Sequence, residues 1–329
     1  MKASARTLAV GCWAVVGLSL AGFHNPEEVR VYQDTARVQF GAEPRFELSY
    51  TLDERFLQKL GFLQGRVLSV HAPCPGAEFF PNLGSRDAGV RRAGVEAVRR
   101  SAGTAARFGA ASVVLHPGYT LDTHVPVDPL RRLAALDALS NEEQRQVWFT
   151  EGSICRRGYC LTPSYRAHFQ AAVEGLVEAA AACAAEEVDL AVENLNPRIT
   201  YLFQLPAELV ELADAIPSIF LCIDIGHLWI SSLVHGFDFS TGLADMLATG
   251  RVRSAHIHDN ASRLGADPVL SDDHALVGEG SVPVRDALDM LTRAQVPAIV
   301  VETTTHPLES MRRVLAILRE PPAGIRPET

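Results

Sequence analysis

Residues 221–227, LCIDIGH, and 254–259, SAHIHD, decide how this chain is read. Each is a short apolar run that ends on a carboxylate or an imidazole. Such a run reads as a strand buried on both faces, as in parallel sheets covered by helices. The polar residue at its end then falls on the carboxyl edge of the sheet. The same pattern recurs outward along the chain in VLSVHAP (67–73), SVVLHPG (112–118), LAVEN (190–194) and AIVVET (298–303), with a loop string SDDH at 271–274. The donor residues so marked are His71, His116, Glu193, Asp224, His227, His256, Asp272, His274 and Glu302.

Between these runs lie longer helix-like stretches. Expected strands are 8–16, 45–50, 67–72, 112–116, 189–194, 219–225, 252–258 and 297–302, and expected helices are 26–41, 52–62, 87–109, 164–186, 206–215, 241–249, 283–294 and 307–319. Strands alternating with helices imply right-handed crossovers and a parallel sheet. Eight such units make a closed (β/α)8 barrel, a TIM barrel, spanning 1–329 as one domain. The segment 118–163, after the fourth strand, is too long for an ordinary connection and is expected to lie over the barrel mouth as a lid or substrate-specific insertion. The final residues 320–329, ending PPAGIRPET, are expected to be mobile. Two readings compete at the N-terminus. Lys2 and Arg6 before LAVGCWAVVGLSLAG, with Ser19-Leu20-Ala21 as a cleavage site, resemble a signal peptide. The strand count favours a first barrel strand and a cytoplasmic chain, and the run is too short for a confident membrane span.

A hydrophobic content of 47% supports a sizeable core, and a net charge of −9 argues against a phosphate backbone as the main partner. The recurrent arginine pairs, such as Arg91/Arg92 and Arg312/Arg313, read as solvated helix faces. Of the cysteines, Cys12, Cys183 and Cys222 lie in apolar or alanine-rich runs and read as buried. Cys155 and Cys160 flank RRGY without enough neighbouring ligands for a zinc knuckle, which leaves them incidental or disulfide-bonded.

One histidine at a strand end is usually a hydrogen-bonded loop residue. Repetition over six successive strands changes the balance, because burying so many carboxylates without cations is very costly. A mixed His/Asp/Glu set suits zinc or manganese rather than an oxygen-only magnesium or calcium cage.

The strings HAP (71–73), HPG (116–118), VEN (192–194), DIGH (224–227), HIHDN (256–260), DDHALVGEG (272–280) and VET (301–303) resemble the xylose isomerase-like barrel superfamily, and their order is most similar to its endonuclease IV branch, the apurinic/apyrimidinic endonuclease family 2. That resemblance covers about residues 45–320 and implies up to three zinc ions held by the nine donors named above, with Glu193 bridging and Glu302 opposite it. Two departures stand out. His258 and Asp259 replace an Asn-Asp pair and are expected to support a ligand histidine. Asp273 stands where the DNA enzyme has arginine, which removes a positive charge near the phosphate.

The resemblance leaves two enzymatic readings. In the first, all nine donors serve a multi-metal phosphodiester hydrolase. Its substrate is a small molecule rather than DNA, with the cobamide-remodelling phosphodiesterases as a similar branch. In the second, Glu193, Asp224, His256 and Glu302 hold one metal in a sugar or sugar-phosphate isomerase or epimerase, and Glu193 and Glu302 transfer the proton. A non-catalytic binding barrel would be expected to have lost carboxylates, and none is missing.

Overall fold

The computed structural model describes residues 9–10, 14–137, 145–146 and 154–320. Eight parallel strands close into a barrel: β1 (Ala14–Ser19), β2 (Arg45–Leu48), β3 (Val67–His71), β4 (Ser112–Leu115), β5 (Asp189–Glu193), β6 (Ile219–Asp224), β7 (Val252–Ile257) and β8 (Ala298–Val301). Each strand pairs with its sequence neighbour, and β8 pairs with β1 to complete the ring. Ten helices are described: α1 (Pro26–Phe40), α2 (Glu54–Lys59), α3 (Ala88–Phe108), α4 (Pro129–Asp137), α5 (Pro163–Ala184), α6 (Pro206–Ala215), α7 (Ile225–His235), α8 (Phe239–Ala248), α9 (Val284–Arg293) and α10 (Pro307–Arg319).

The two-residue period of a strand explains where the donors point. One parity packs outward against the helices: Leu190 and Val192 on β5, Ile219, Leu221 and Ile223 on β6, Ile299 and Val301 on β8. The other parity faces the lumen, where Val114, Ala191 and Cys222 form a separate small cluster. Two residues further along that inward parity come His116, Glu193 and Asp224. The same step leads from Ser69 to His71, from Ser254 to His256 and from Val300 to Glu302. The lumen floor therefore carries mostly small apolar and serine side chains, and its carboxyl end is a ring of donors.

Two elements differ from expectation. The first strand begins at Ala14 rather than residue 8, and Ala9–Val10 folds back antiparallel on Ala14 and Val15. Register places Val16 and Leu18, both fully buried, against the helices, so cleavage near Ser19-Leu20-Ala21 would remove a barrel strand. Helix α7 was not expected. Its sequence, IGHLWISSLVH, carries no charged stripe, because the helix is buried almost throughout and its polar residues His227, Ser231, Ser232 and His235 are themselves buried. Asp224 caps it by accepting from the His227 amide at 2.7 Å. The tail 321–329, and Trp148 and Phe149 of the insertion, lie outside the described residues.

Candidate metal centre

Four donors converge where β5 to β8 end. His256 Nδ1 lies 3.0 Å from Glu302 Oε2, 3.4 Å from Glu193 Oε1 and 4.0 Å from Asp224 Oδ2. On its far side, His256 Nε2 meets Glu47 Oε2 at 3.2 Å, and Glu47 also accepts from Ser69 Oγ at 2.6 Å. Donation from Nε2 to this carboxylate turns the Nδ1 lone pair toward the centre. His256 Nδ1 and Asp224 Oδ2 are buried and make no hydrogen bond. Leaving such atoms without a partner costs about 1–3 kcal/mol each. A divalent cation held by Glu193, Asp224, His256 and Glu302, whose ligand atoms all lie within 4.8 Å of one another, would satisfy both.

Two further groups adjoin this tetrad. His71 Nε2 and His116 Nε2 approach Glu193 Oε2 at 3.1 and 3.3 Å, so Glu193 presents one oxygen to each group. His71 Nδ1 contacts Ala72 O at 3.2 Å. With the proton there, Nε2 faces the carboxylate with a lone pair, an arrangement that calls for a protonated ring or a shared cation. The other group gathers His227, His258, Asp272 and His274. His227 Nδ1 lies 3.0 Å from Asn194 O and His274 Nδ1 2.9 Å from Glu302 O. Their Nε2 atoms lie 3.3 and 3.6 Å from the Asp272 oxygens, and Asp272 Oδ1 is another buried atom without a hydrogen bond.

The electrostatics agree with a cation-seeking cage. Burial presses each imidazole toward its neutral form, but Asp224 and Asp272 override it at His227 and hold that ring well above the usual range. At His274 burial is likewise overridden by Asp272, and the ring is pushed up to about 10. Burial would raise the Glu193 and Asp272 carboxyls, yet neighbouring imidazoles, chiefly His256 and His227 respectively, hold both well below the ordinary carboxylate range. Burial dominates at His116 and lowers it.

All nine expected donors therefore meet at one end of the barrel, together with His258 and Asp259. His258 Nε2 bonds Asp224 Oδ1 at 3.0 Å, and its ring stacks on His274 at 3.9 Å, so it braces a carboxylate and an imidazole together. Asp259 meets His258 Nδ1 through its backbone carbonyl at 3.3 Å. Its carboxylate accepts the amides of Asn260, Gly278 and Val282 at 2.9, 2.9 and 3.1 Å and ties down the loop that carries Asp272 and His274. Close packing demands glycine twice here: a Cβ on Gly226 would sit 2.1 Å from His258 Cε1, and one on Gly280 would sit 2.2 Å from Asp259 Oδ1. Asp273 is exposed and accepts from Ser271 Oγ and the Ala261 amide. Sequence reasoning missed Glu47, whose only signal was a carboxylate in the apolar string RFELSY, and Asn196, which donates to Asp272 Oδ2 at 2.8 Å.

Above the donors opens a cavity of about 380 Å³. Of the tetrad, only Glu193 and Glu302 reach its surface. Tyr50, Phe80, Tyr119 and Tyr201 form aromatic walls, and α4 contributes Pro129, Leu130, Arg132 and Leu133. Cys155 and Cys160 lie outside the centre as free, buried thiols that contact Gln204 Oε1 at 3.3 and 3.6 Å.

A closed parallel barrel with its carboxyl-end donors facing one cavity defines a class of protein, and comparison supplies the family. The xylose isomerase-like TIM barrel profile matches residues 40–321, and the chain belongs to that family. No curated protein matches the chain in sequence. Solved structures with the same fold include a D-tagatose 3-epimerase-like protein at 18% identity and TM-score 0.63, covering 92% of this chain and 95% of that one. The 3-keto-D-glucoside 4-epimerase YcjR of E. coli is similar at 14% identity and TM-score 0.61, covering 92% of this chain and 98% of its own. The D-psicose 3-epimerase of Clostridium cellulolyticum H10 is similar at 13% identity and TM-score 0.59, with coverage of 92% and 96%. Among the described residues no helix is long and apolar enough to cross a membrane.

Proposed function

We propose that this chain is a metal-dependent isomerase or epimerase of a sugar-like polyhydroxy carbonyl compound. One observation carries the reading: within the tetrad Glu193, Asp224, His256 and Glu302, only the two glutamates border the cavity. Asp224 and His256 hold the centre from behind, while two carboxylates on strands three apart in the ring face the substrate space. The mixed oxygen and nitrogen donors suit manganese or zinc. When bound, the cation supplies polarisation of the substrate carbonyl and its neighbouring hydroxyl. One glutamate then removes the proton from the carbon beside the carbonyl, and the other delivers a proton to the same or the adjacent carbon. The aromatic walls exclude bulk water. The epimerases that share the fold are consistent with this chemistry, although at this identity they speak for the fold alone.

One observation favours a second reading. His71 and His116 meet Glu193, and His227 and His274 meet Asp272, so up to three cations could be held side by side. That set would suit phosphodiester hydrolysis of a small-molecule ester, with the clustered cations supplying charge stabilisation and the nucleophile. Metal analysis of the purified protein, paired with two activity assays, separates the readings. Isomerisation predicts one tightly held metal per chain, exchange of a substrate C–H with D2O, and loss of that exchange in Glu302→Gln. Three metals per chain with hydrolysis of bis-p-nitrophenyl phosphate and no exchange would overturn it in favour of the hydrolase.

A further inference from the structure

The cavity wall contributed by the insertion carries charge as well as shape. Arg132 on α4 lies over the Phe80 ring at 5.1 Å and donates from Nη1 to Val127 O at 2.9 Å. Arg198 lies over the Tyr201 ring at 5.9 Å. Phe80, Tyr119 and Tyr201 follow one another with ring centres 6.4 and 5.3 Å apart. The result is an aromatic wall with a guanidinium at each end, and both guanidiniums line the cavity. The charge of Arg132 reaches Tyr50 and Tyr119, and that of Arg198 reaches Tyr119.

Several other arginines here face carboxylates: Arg131 pairs with Glu78 at 3.2 Å, Arg107 with Glu54 at 2.8 Å and Arg313 with Glu309 at 2.9 Å. Arg132 is engaged instead by a carbonyl and a ring, and among the described residues no carboxylate pairs with it. A guanidinium has five N–H donors in a fixed fork suited to phosphate or carboxylate, and its one bond here leaves that fork largely available. The carboxylates that line the cavity, Glu193, Asp272 and Glu302, face imidazoles and the metal positions. Among the described residues, the charge of Arg132 on the aromatic wall thus has no carboxylate partner. On the opposite side, Asn196 Oδ1 is buried without a hydrogen bond, an acceptor awaiting a hydroxyl.

We propose that the substrate is an anionic polyhydroxy compound, with a phosphate or carboxylate group that Arg132 and Arg198 bind against the aromatic wall while its carbonyl end faces Glu193 and Glu302. This rests on the isomerase reading for the carbonyl end only. The insertion after β4 is then a specificity element, supplying Arg132 and, through the Ile154–Arg198 bridge, contacting the segment that carries Arg198. A cavity of about 380 Å³ is within the range of small-molecule sites.

The test is titration calorimetry on manganese-loaded protein with a matched set of probes: a neutral ketohexose, its monophosphate, the corresponding hexuronate, and inorganic phosphate. Wild type should bind the better of the two anionic sugars roughly 10- to 100-fold more tightly than the neutral one, from charge-assisted bonds. The phosphate and hexuronate arms show which anion the pair prefers. Arg132→Met should reduce that ratio about tenfold or more, Arg132→Lys should restore part of it, and Arg131→Met, on the outer face, should leave it unchanged. Metal content is measured in each variant to confirm an intact barrel. A wild-type ratio near one overturns the proposal, as does a ratio that Arg132→Met leaves intact, which would mean the anion sits on the metals. A ratio that depends on Arg132 in a protein without C–H exchange would sink the isomerase reading and leave the anion site standing.

Discussion

The strand-borne group (Glu193, Asp224, His256, Glu302) and the loop-borne group (His227, His258, Asp272, His274) hold similar chemistry by different means. In the first, sheet register does the positioning: Asp224 lies directly beside His256 across the β6–β7 ladder, and His256 beside Val300 across β7–β8. Backbone hydrogen bonds that also build the barrel place these side chains. In the second, Asp272 and His274 sit on an irregular loop, and His274 adopts φ 44°, an uncommon conformation for a non-glycine residue. That loop owes its shape to Asp259 and its three amide bonds. A barrel rim can thus keep one metal position for as long as it keeps its fold, whereas a loop position depends on a few dedicated contacts.

The largest test of this contrast is chemical. Glu302→Gln should lower kcat roughly 10³-fold, measured by C–H exchange. Next comes Asp259→Ala, which strips three amides of their acceptor and should cost roughly 4 kcal/mol of unfolding free energy, read by urea denaturation. Metal retained at the tetrad of that variant would sharpen the comparison, and its loss would break it. A buried carboxylate in neither group provides the reference. Burial pushes Glu208 up to about 7, against bonds from Leu205 N and Tyr165 Oη. The folded chain binds that proton more tightly than the unfolded one. The stabilisation is complete below pH of about 4.5 and disappears as pH rises through about 7, a change of about 3 kcal/mol. Glu208→Gln should remove that component, so the stability difference between variant and wild type should move in the variant's favour from pH 4 to pH 8. The smallest effect is expected for Gly226→Ala. A methyl 2.1 Å from His258 Cε1 displaces the ring that braces Asp224 and should weaken metal binding at the tetrad about tenfold. Unchanged metal affinity would show the tetrad to be independent of the loop-borne group.

The same division governs what could be read from the chain. The strand ends were legible because a buried strand admits few polar residues, so His71, Glu193 or Glu302 after an apolar run stands out, and parity carries each to the lumen. Glu47 was not legible. It lies within its strand rather than after it, and its partner His256 is 209 residues away, a contact that closure of the ring creates and local pattern does not show. Helix α7 hid for the converse reason, since burial on nearly all sides leaves it without the charged, solvent-facing stripe by which helices are recognised. Asp259 showed the limit of motif logic. The string HIHDN placed it beside a ligand histidine in sequence, but its side chain turns to the loop and acts on the backbone. No motif marked the residues of α4 that line the cavity, Pro129, Leu130, Arg132 and Leu133.

The bond from Ser19 Oγ to Glu302 Oε1, 3.4 Å long, joins residues 283 positions apart. The centre therefore has a place in time as well as in space. Synthesis delivers Ser19 long before Glu302, and a chain ended before β8 lacks one member of the tetrad. Metal capture by the complete tetrad must therefore follow synthesis of β8, the strand that also closes the ring against β1.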